Sequence, residues 1–202
     1  MESTFRGEEP VAQSGEQPTT QRILKIALDL FNERGYEGTS MREVAERLGV
    51  TTSALYYHFP SKDHMLISLV RPVLERTDAL IAGSRSAANS LDARRALLGA
   101  YLDLLLDCRD LYRFLARDVG ALNRQGIGTR MEEQERKLRT LLVGPQAKAK
   151  AHIRAMAAVG ALQRPLVSSL AEIELRSERE PMLEGAMAVL TYHRHRGGRG
   201  AP

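Results

Sequence analysis

Tryptophan is absent and cysteine occurs once, as Cys108, in a chain of 202 residues with only four phenylalanines and six tyrosines. A lone cysteine cannot close a disulfide within the chain, which argues against a cross-linked secreted scaffold and for a cytoplasmic protein. The N-terminus lacks the basic-then-apolar pattern of a secretory signal. Long apolar runs are missing as well. The stretch Leu97 to Leu106 is interrupted by Asp103 and falls short of the ~20 residues that span a bilayer, so no membrane partner is expected. Zinc spacings, a nucleophile elbow and paired carboxylates tied to a cavity are all lacking, so neither an enzyme nor a metal or cofactor is expected. Charge of one sign is not abundant either. Lys and Arg number 29 against 25 Asp and Glu, a net charge of +4 that permits a nucleic-acid partner without demanding one.

What is present is 43 % hydrophobic residues, enough for a sizeable core, with Ala, Leu and Arg prominent. Apolar residues recur at i, i+3, i+4 and i+7, and no period-2 alternation is sustained. The chain is therefore read as all-α. Residues 1–18 set Arg6 against Glu2, Glu8, Glu9 and Glu16 without helical period, which suggests a flexible N-terminal arm. Residues 194–202, Gly- and Arg-rich, read as a flexible tail, and His193 and His195 beside it as solvated side chains rather than a metal pair.

Three helices are predicted in the first third. One runs from Thr20 to Arg34, with Ile23, Ala27, Leu30 and Phe31 on one face and Gly35 to stop it. Ser40-Met41-Arg42-Glu43 then fits a capping box, and Met41, Val44, Ala45 and Leu48 form a short stripe ended by Gly49. Thr51 or Thr52 can cap a third helix carrying Leu55, Tyr56 and Phe59, which Pro60 ends. Two short helices across a tight turn, packed on a longer one, describe a helix-turn-helix whose second member enters the major groove of DNA. Thr51, Thr52 and Ser53 supply hydroxyls at its start, Tyr56, Tyr57 and His58 donors near its end, Lys62 a following cation and Arg42 a guanidinium. Tyr57 is read equally as a core residue or a DNA contact. Residues 19–62 hold six basic and five acidic side chains, so affinity is expected to depend on geometry and dimerisation.

The run from Gly35 to Val50, followed by Ala54-Leu55-Tyr56-Tyr57-His58-Phe59-Pro60-Ser61-Lys62, closely resembles the DNA-binding domain of the tetracycline-repressor (TetR) family. The resemblance extends back to Arg22 and covers roughly residues 19–66. It implies a homodimeric transcription regulator, usually a repressor, whose C-terminal helical domain dimerises and binds a small effector. It also implies groove-facing positions for Arg42, Thr52, Ser53 and Ala54 and phosphate-facing positions for Tyr56, Tyr57, His58 and Lys62. Ala54 can offer only a methyl contact to thymine.

The remaining chain is expected to divide at residue 64, with 19–64 the DNA-binding domain and 65–193 a ligand-binding and dimerisation domain. Ser61 caps a fourth helix, in which Pro72 is expected to place a kink near residues 68–72. Helices from Leu91 to Asp107, Asp110 to Ala121 and Thr129 to Leu142 follow, with Gly126-Ile127-Gly128 opening the last of them. Candidate effector contacts are Tyr101, Cys108, Phe114, Met131, His152 and Met156. An Ala-rich helix within Pro145 to Val167 and a final one from Glu178 to Tyr192 are the dimerisation candidates, through Ala157, Gly160, Ala161, Met182, Ala186 and Met187. Two other readings compete: a helical regulator without a small-molecule effector, and a helical ligand-binding protein or enzyme. The operator, here expected to be a palindrome on double-stranded DNA, has no sequence signature in the protein.

Overall fold

The structure is a computed structural model that describes residues 16–84, 87–168 and 174–192. Among these residues there are ten α-helices and no strand: α1 Glu16–Arg34, α2 Met41–Leu48, α3 Thr52–His58, α4 Lys62–Gly83, α5 Leu91–Asp107, α6 Arg109–Arg117, α7 Val119–Leu122, α8 Ile127–Val143, α9 Ala149–Val167 and α10 Arg179–Thr191. None is long and apolar enough to cross a membrane. Most of the N-terminal arm and the whole C-terminal tail, including His193 and His195, lie outside the described residues. From Glu16 onward the backbone is already helical, earlier than the period of the apolar residues indicates.

The short helices are fixed at their ends, as they must be to persist. At α2 the Glu43 amide donates to Ser40 Oγ at 3.2 Å and the Ser40 amide donates to Glu43 Oε2 at 2.8 Å. Gly49, at φ 78°, closes the same helix in the left-handed conformation that a side chain would strain. Thr51 Oγ1 accepts from the Ala54 amide at 3.2 Å to start α3, and Ser61 Oγ accepts from the His64 amide at 3.1 Å to start α4. Helix α4 runs through Pro72, 22 residues from Lys62 to Gly83, so the proline does not end it. The helix predicted over Asp110 to Ala121 is instead two. Asp118 divides it, because its Oδ1 caps α7 by accepting from the Ala121 amide at 2.9 Å while its Oδ2 accepts from the Tyr36 amide at 2.7 Å. A carboxylate engaged in this way holds a non-helical backbone that periodicity alone does not reveal.

Two cores organise these helices, and they do not part at residue 64. The first gathers Ile23, Ala27, Leu30 and Phe31 of α1 with Val44, Ala45 and Leu48 of α2, Leu55 of α3 and Met65, Leu66 and Val70 of α4. It is completed from the other side by Leu111, Phe114 and Leu115 of α6, Ala121 of α7 and Ile127 of α8. The Phe31 and Phe114 rings stack with centroids 5.3 Å apart, and Asn32 Nδ2 donates to the Asp110 carbonyl at 3.2 Å. The second core joins α5, α8, α9 and α10 through Leu98, Leu102, Leu138, Leu142, Val159, Leu162 and Leu183.

Because Phe114 closes the first core, truncating it should loosen α1 as much as α6. Phe114→Ala is expected to cost about 3–5 kcal/mol in urea unfolding. Hydrogen exchange should show α1 amides losing protection with those of α6; loss confined to α6 would mean that the first core is complete without it.

Candidate nucleic-acid interface

Helix α3 presents its polar side outward because Leu55, fully buried, anchors its inner face with Phe59 just beyond it. Thr51, Ser53, Ala54, Tyr56 and Tyr57 are exposed, Tyr57 at 80 %, and Thr52 and His58 are half-buried. The even choice left for Tyr57 thus resolves toward the surface. Its ring meets the His58 ring edge-on at 5.4 Å. Arg42 also faces solvent, with its Nε donating to Glu46 Oε1 at 2.7 Å one turn along α2. Other charges in this unit hold helices together: Arg47 makes a bidentate pair with Glu33 across α1 and α2 at 2.7 and 3.0 Å, and Arg34 pairs with Glu43. The hydrogen bonds from Arg47 and from Ser40 hold the Glu33 and Glu43 carboxyls, respectively, below the usual carboxylate range.

Lys62 has a different place from the one expected. Its ammonium donates to the Tyr36 carbonyl at 2.6 Å and the Thr39 carbonyl at 2.8 Å, in the turn between α1 and α2. It also lies 4.3 Å from the centre of the Tyr36 ring. Lys62 therefore ties the start of α4 to that turn, and a phosphate would have to compete with two carbonyls for it.

Tyr36, which sequence reasoning passed over, is the hub of this corner. Its side chain is 1 % exposed, its hydroxyl donates to Asp63, and the Arg124 guanidinium sits 4.7 Å from the ring centre. Arg124 reaches Glu37 at 2.5 Å and Asp63 at 3.2 Å, linking the turn before α8 to the turn after α1 and to the start of α4. Burial, then the bond to Asp63, pushes the Tyr36 phenol well above its ordinary range, so it stays a donor.

A cavity of about 90 Å³ opens between α4, α5, α6, α8 and α9. Of the six expected effector contacts, Tyr101, Cys108 and Met131 line it. Phe114 lies in the first core against Phe31, His152 does not reach the cavity, and Met156 is 51 % exposed on the outside of α9. Helical period places a residue on a face but does not say which neighbour that face meets. Tyr112, Gln134, Glu135 and Gln163 also line the cavity. Gln134 Nε2 donates to the Leu74 carbonyl and to Asp78 Oδ1, both at 2.8 Å, bracing α8 against α4. That hydrogen bond holds the Asp78 carboxyl low.

The outer face of the α9–α10 pair exposes apolar residues, and they are not all the ones expected there. Ile153, Met156 and Ala157 are exposed at helical spacing with half-buried Gly160, whose missing side chain would meet nothing within 4 Å. Ala188 of α10 and Tyr192, just past its end, are exposed as well. Ala161, Met182 and Met187 are half-buried against the second core, and Ala186 is fully buried within it, so Ala186 cannot touch a partner.

Two measurements check these placements. Lys62→Ala should lower stability by about 1–3 kcal/mol, the loss expected for hydrogen bonds from a charged group, while the salt dependence of DNA binding stays as it was. A salt slope reduced by about one would return Lys62 to the phosphate backbone. Burial pushes the Cys108 thiol up to about 11, so its alkylation at pH 8 should run roughly a hundredfold slower than that of an unperturbed thiol and rise with pH.

Residues 23–69 match the family model described as bacterial regulatory proteins, tetR family. The HTH-type transcriptional repressor KstR of Rhodococcus jostii is 40 % identical over 73 residues, which are 36 % of this chain and 34 % of that protein. The HTH-type transcriptional regulator RutR of Escherichia coli is 42 % identical over 53 residues, 26 % of this chain and 25 % of its own. The matched part thus spans about a third or less of those relatives. In fold the likeness is longer. The TetR-family regulator PfmR of Thermus thermophilus superposes with a TM-score of 0.64 at 23 % identity, covering 84 % of this chain and 97 % of its own. The ketosteroid transcriptional regulator KstR2 of Mycobacterium tuberculosis gives 0.66 at 19 % identity over 91 % of this chain and 98 % of its own. Residues 23–69 are thus matched in sequence by the tetR family model, and the helical body as a whole is similar in fold to solved TetR-family regulators.

Proposed function

We propose that this protein is a sequence-specific DNA-binding transcriptional regulator of the cytoplasm, a homodimeric repressor that a small-molecule effector releases from a palindromic operator. The observation that carries this reading is the outer face of α3, where Thr51, Ser53, Ala54, Tyr56 and Tyr57 stand exposed on a helix whose only task for the core is to bury Leu55. Thr52, Ser53 and Arg42 can hydrogen-bond base edges, and Tyr56, Tyr57 and His58 can reach the backbone. The apolar face of α9 and α10 supports a two-fold dimer, which would set two α3 helices roughly 34 to 36 Å apart, or a multiple of that, on half-sites of DNA. Helix α4 begins at the DNA-binding unit and lines the cavity through Val70, Val73, Leu74 and Thr77. An effector that prefers the form with wrongly spaced α3 helices then shifts the population away from DNA, by no more than its differential affinity for the two forms.

The test is selection of bound duplexes from a random pool, followed by anisotropy titration against the winner and a scrambled control. A palindrome bound at least about a thousandfold tighter than the control is expected. Gly160→Glu, which places a charge on the apolar face, should give a monomer in sedimentation and lose that affinity. Weak, salt-limited binding with no preferred sequence would overturn the proposal.

A further inference from the structure

The cavity that the proposed function assigns to an effector has an unusual polar inventory. Its walls are mainly Leu, Val and Met, and none of its lining residues is Lys, Arg or His. Tyr101 is 7 % exposed, and its hydroxyl oxygen accepts from Gln163 Nε2 at 2.9 Å. That bond occupies the oxygen and leaves the hydroxyl proton without an acceptor among the described residues. The Tyr112 hydroxyl, on a half-buried side chain lining the same cavity, has no hydrogen-bond partner among the described residues. Burial raises both phenols far above their ordinary range, and the carboxylate of Glu135 raises them further, so both remain protonated donors. Glu135 itself receives a hydrogen bond from Arg139 at 2.5 Å, so its charge is already answered from outside the cavity.

Donors left unspent in an apolar pocket favour a ligand that supplies an acceptor. We infer that the cavity takes an uncharged, mainly apolar small molecule with a carbonyl-type oxygen, which accepts from the Tyr101 and Tyr112 hydroxyls. An anion would find no cation in the walls and a carboxylate nearby. A cation would have to take Glu135 from Arg139 and would leave both phenol protons unmet. The inference rests on reading this cavity as the effector site.

A matched set of one-ring probes tests the head group without DNA: cyclopentanone, methylenecyclopentane, cyclopentylammonium and cyclopentanecarboxylate. Each is titrated against the full-length, DNA-free protein by ligand-observed NMR. Cyclopentanone is expected to bind about tenfold more tightly than methylenecyclopentane, the scale of one to two hydrogen bonds, and the two ions more weakly still. Tyr112→Phe, which breaks no existing bond, should remove most of that preference, and Tyr101→Phe the rest, with methylenecyclopentane binding unchanged. Tighter binding of either ion, equal binding of the two neutral probes, no binding by any probe, or a preference untouched in Tyr112→Phe would each overturn the inference. DNA is absent throughout, so failure here is separate from failure of the regulator reading. Conversely, a carbonyl preference in a protein that selects no operator would keep the ligand class and remove the regulatory role.

Discussion

The stacking of Phe114 on Phe31 is the contact on which the rest of the architecture depends. A three-helix unit of under fifty residues buries too little apolar surface to be secure alone. Here its open side is filled by Leu111, Phe114 and Leu115, so α6 is at once part of the helical body and a wall of the DNA-binding unit. Asp118, at the end of α6, then takes the Tyr36 amide, and Arg124, before α8, takes Glu37 and Asp63. The two halves are joined by a packed hydrophobic contact and a rim of charge-assisted bonds around one buried tyrosine.

That junction bears directly on the proposed regulation. The cavity is lined by α4 from Val70 to Thr77, by α6 through Leu111 and Leu115, and by α8 through Met131 and Gln134. Each of these helices also reaches the first core or its rim: α4 through Met65 and Lys62, α6 through Phe114, and α8 through Ile127, with Arg124 just before it. A packed interior passes a displacement on rather than absorbing it, because side chains occupy discrete arrangements at high density. On the proposed reading, a ligand that changes the spacing of α4, α6 and α8 would act on the seat of α3 without touching it.

Much of the fold could be read before any coordinates. The capping box at Ser40 and Glu43, the glycine stop at Gly49 and the caps at Thr51 and Ser61 all stand where the residue types indicate, because each depends on neighbours within three or four positions. The Leu91–Asp107 helix matches its expected bounds for the same reason. Errors arose where a distant partner decided the outcome. Asp118 broke a helix because Tyr36 is beside it, and Lys62 is held by two carbonyls of the turn after α1, a partnership its own neighbours in sequence do not indicate. Phe114, Met156 and Ala186 had the right residue type for the roles expected of them and the wrong surroundings.

The division between the two sources of information is physical. Local sequence determined the all-α class, the helix-turn-helix with its exposed hydroxyls and tyrosines, and the small-residue helix α9, since propensity, capping and period act over a few residues. Only the tertiary structure decided that α6 completes the DNA-binding core, that Tyr36 is a junction, and that Tyr101 and Tyr112 share a cavity with their protons unspent. Those outcomes depend on which faces meet between elements distant in the chain, and a burial pattern states that a face is covered without stating by what.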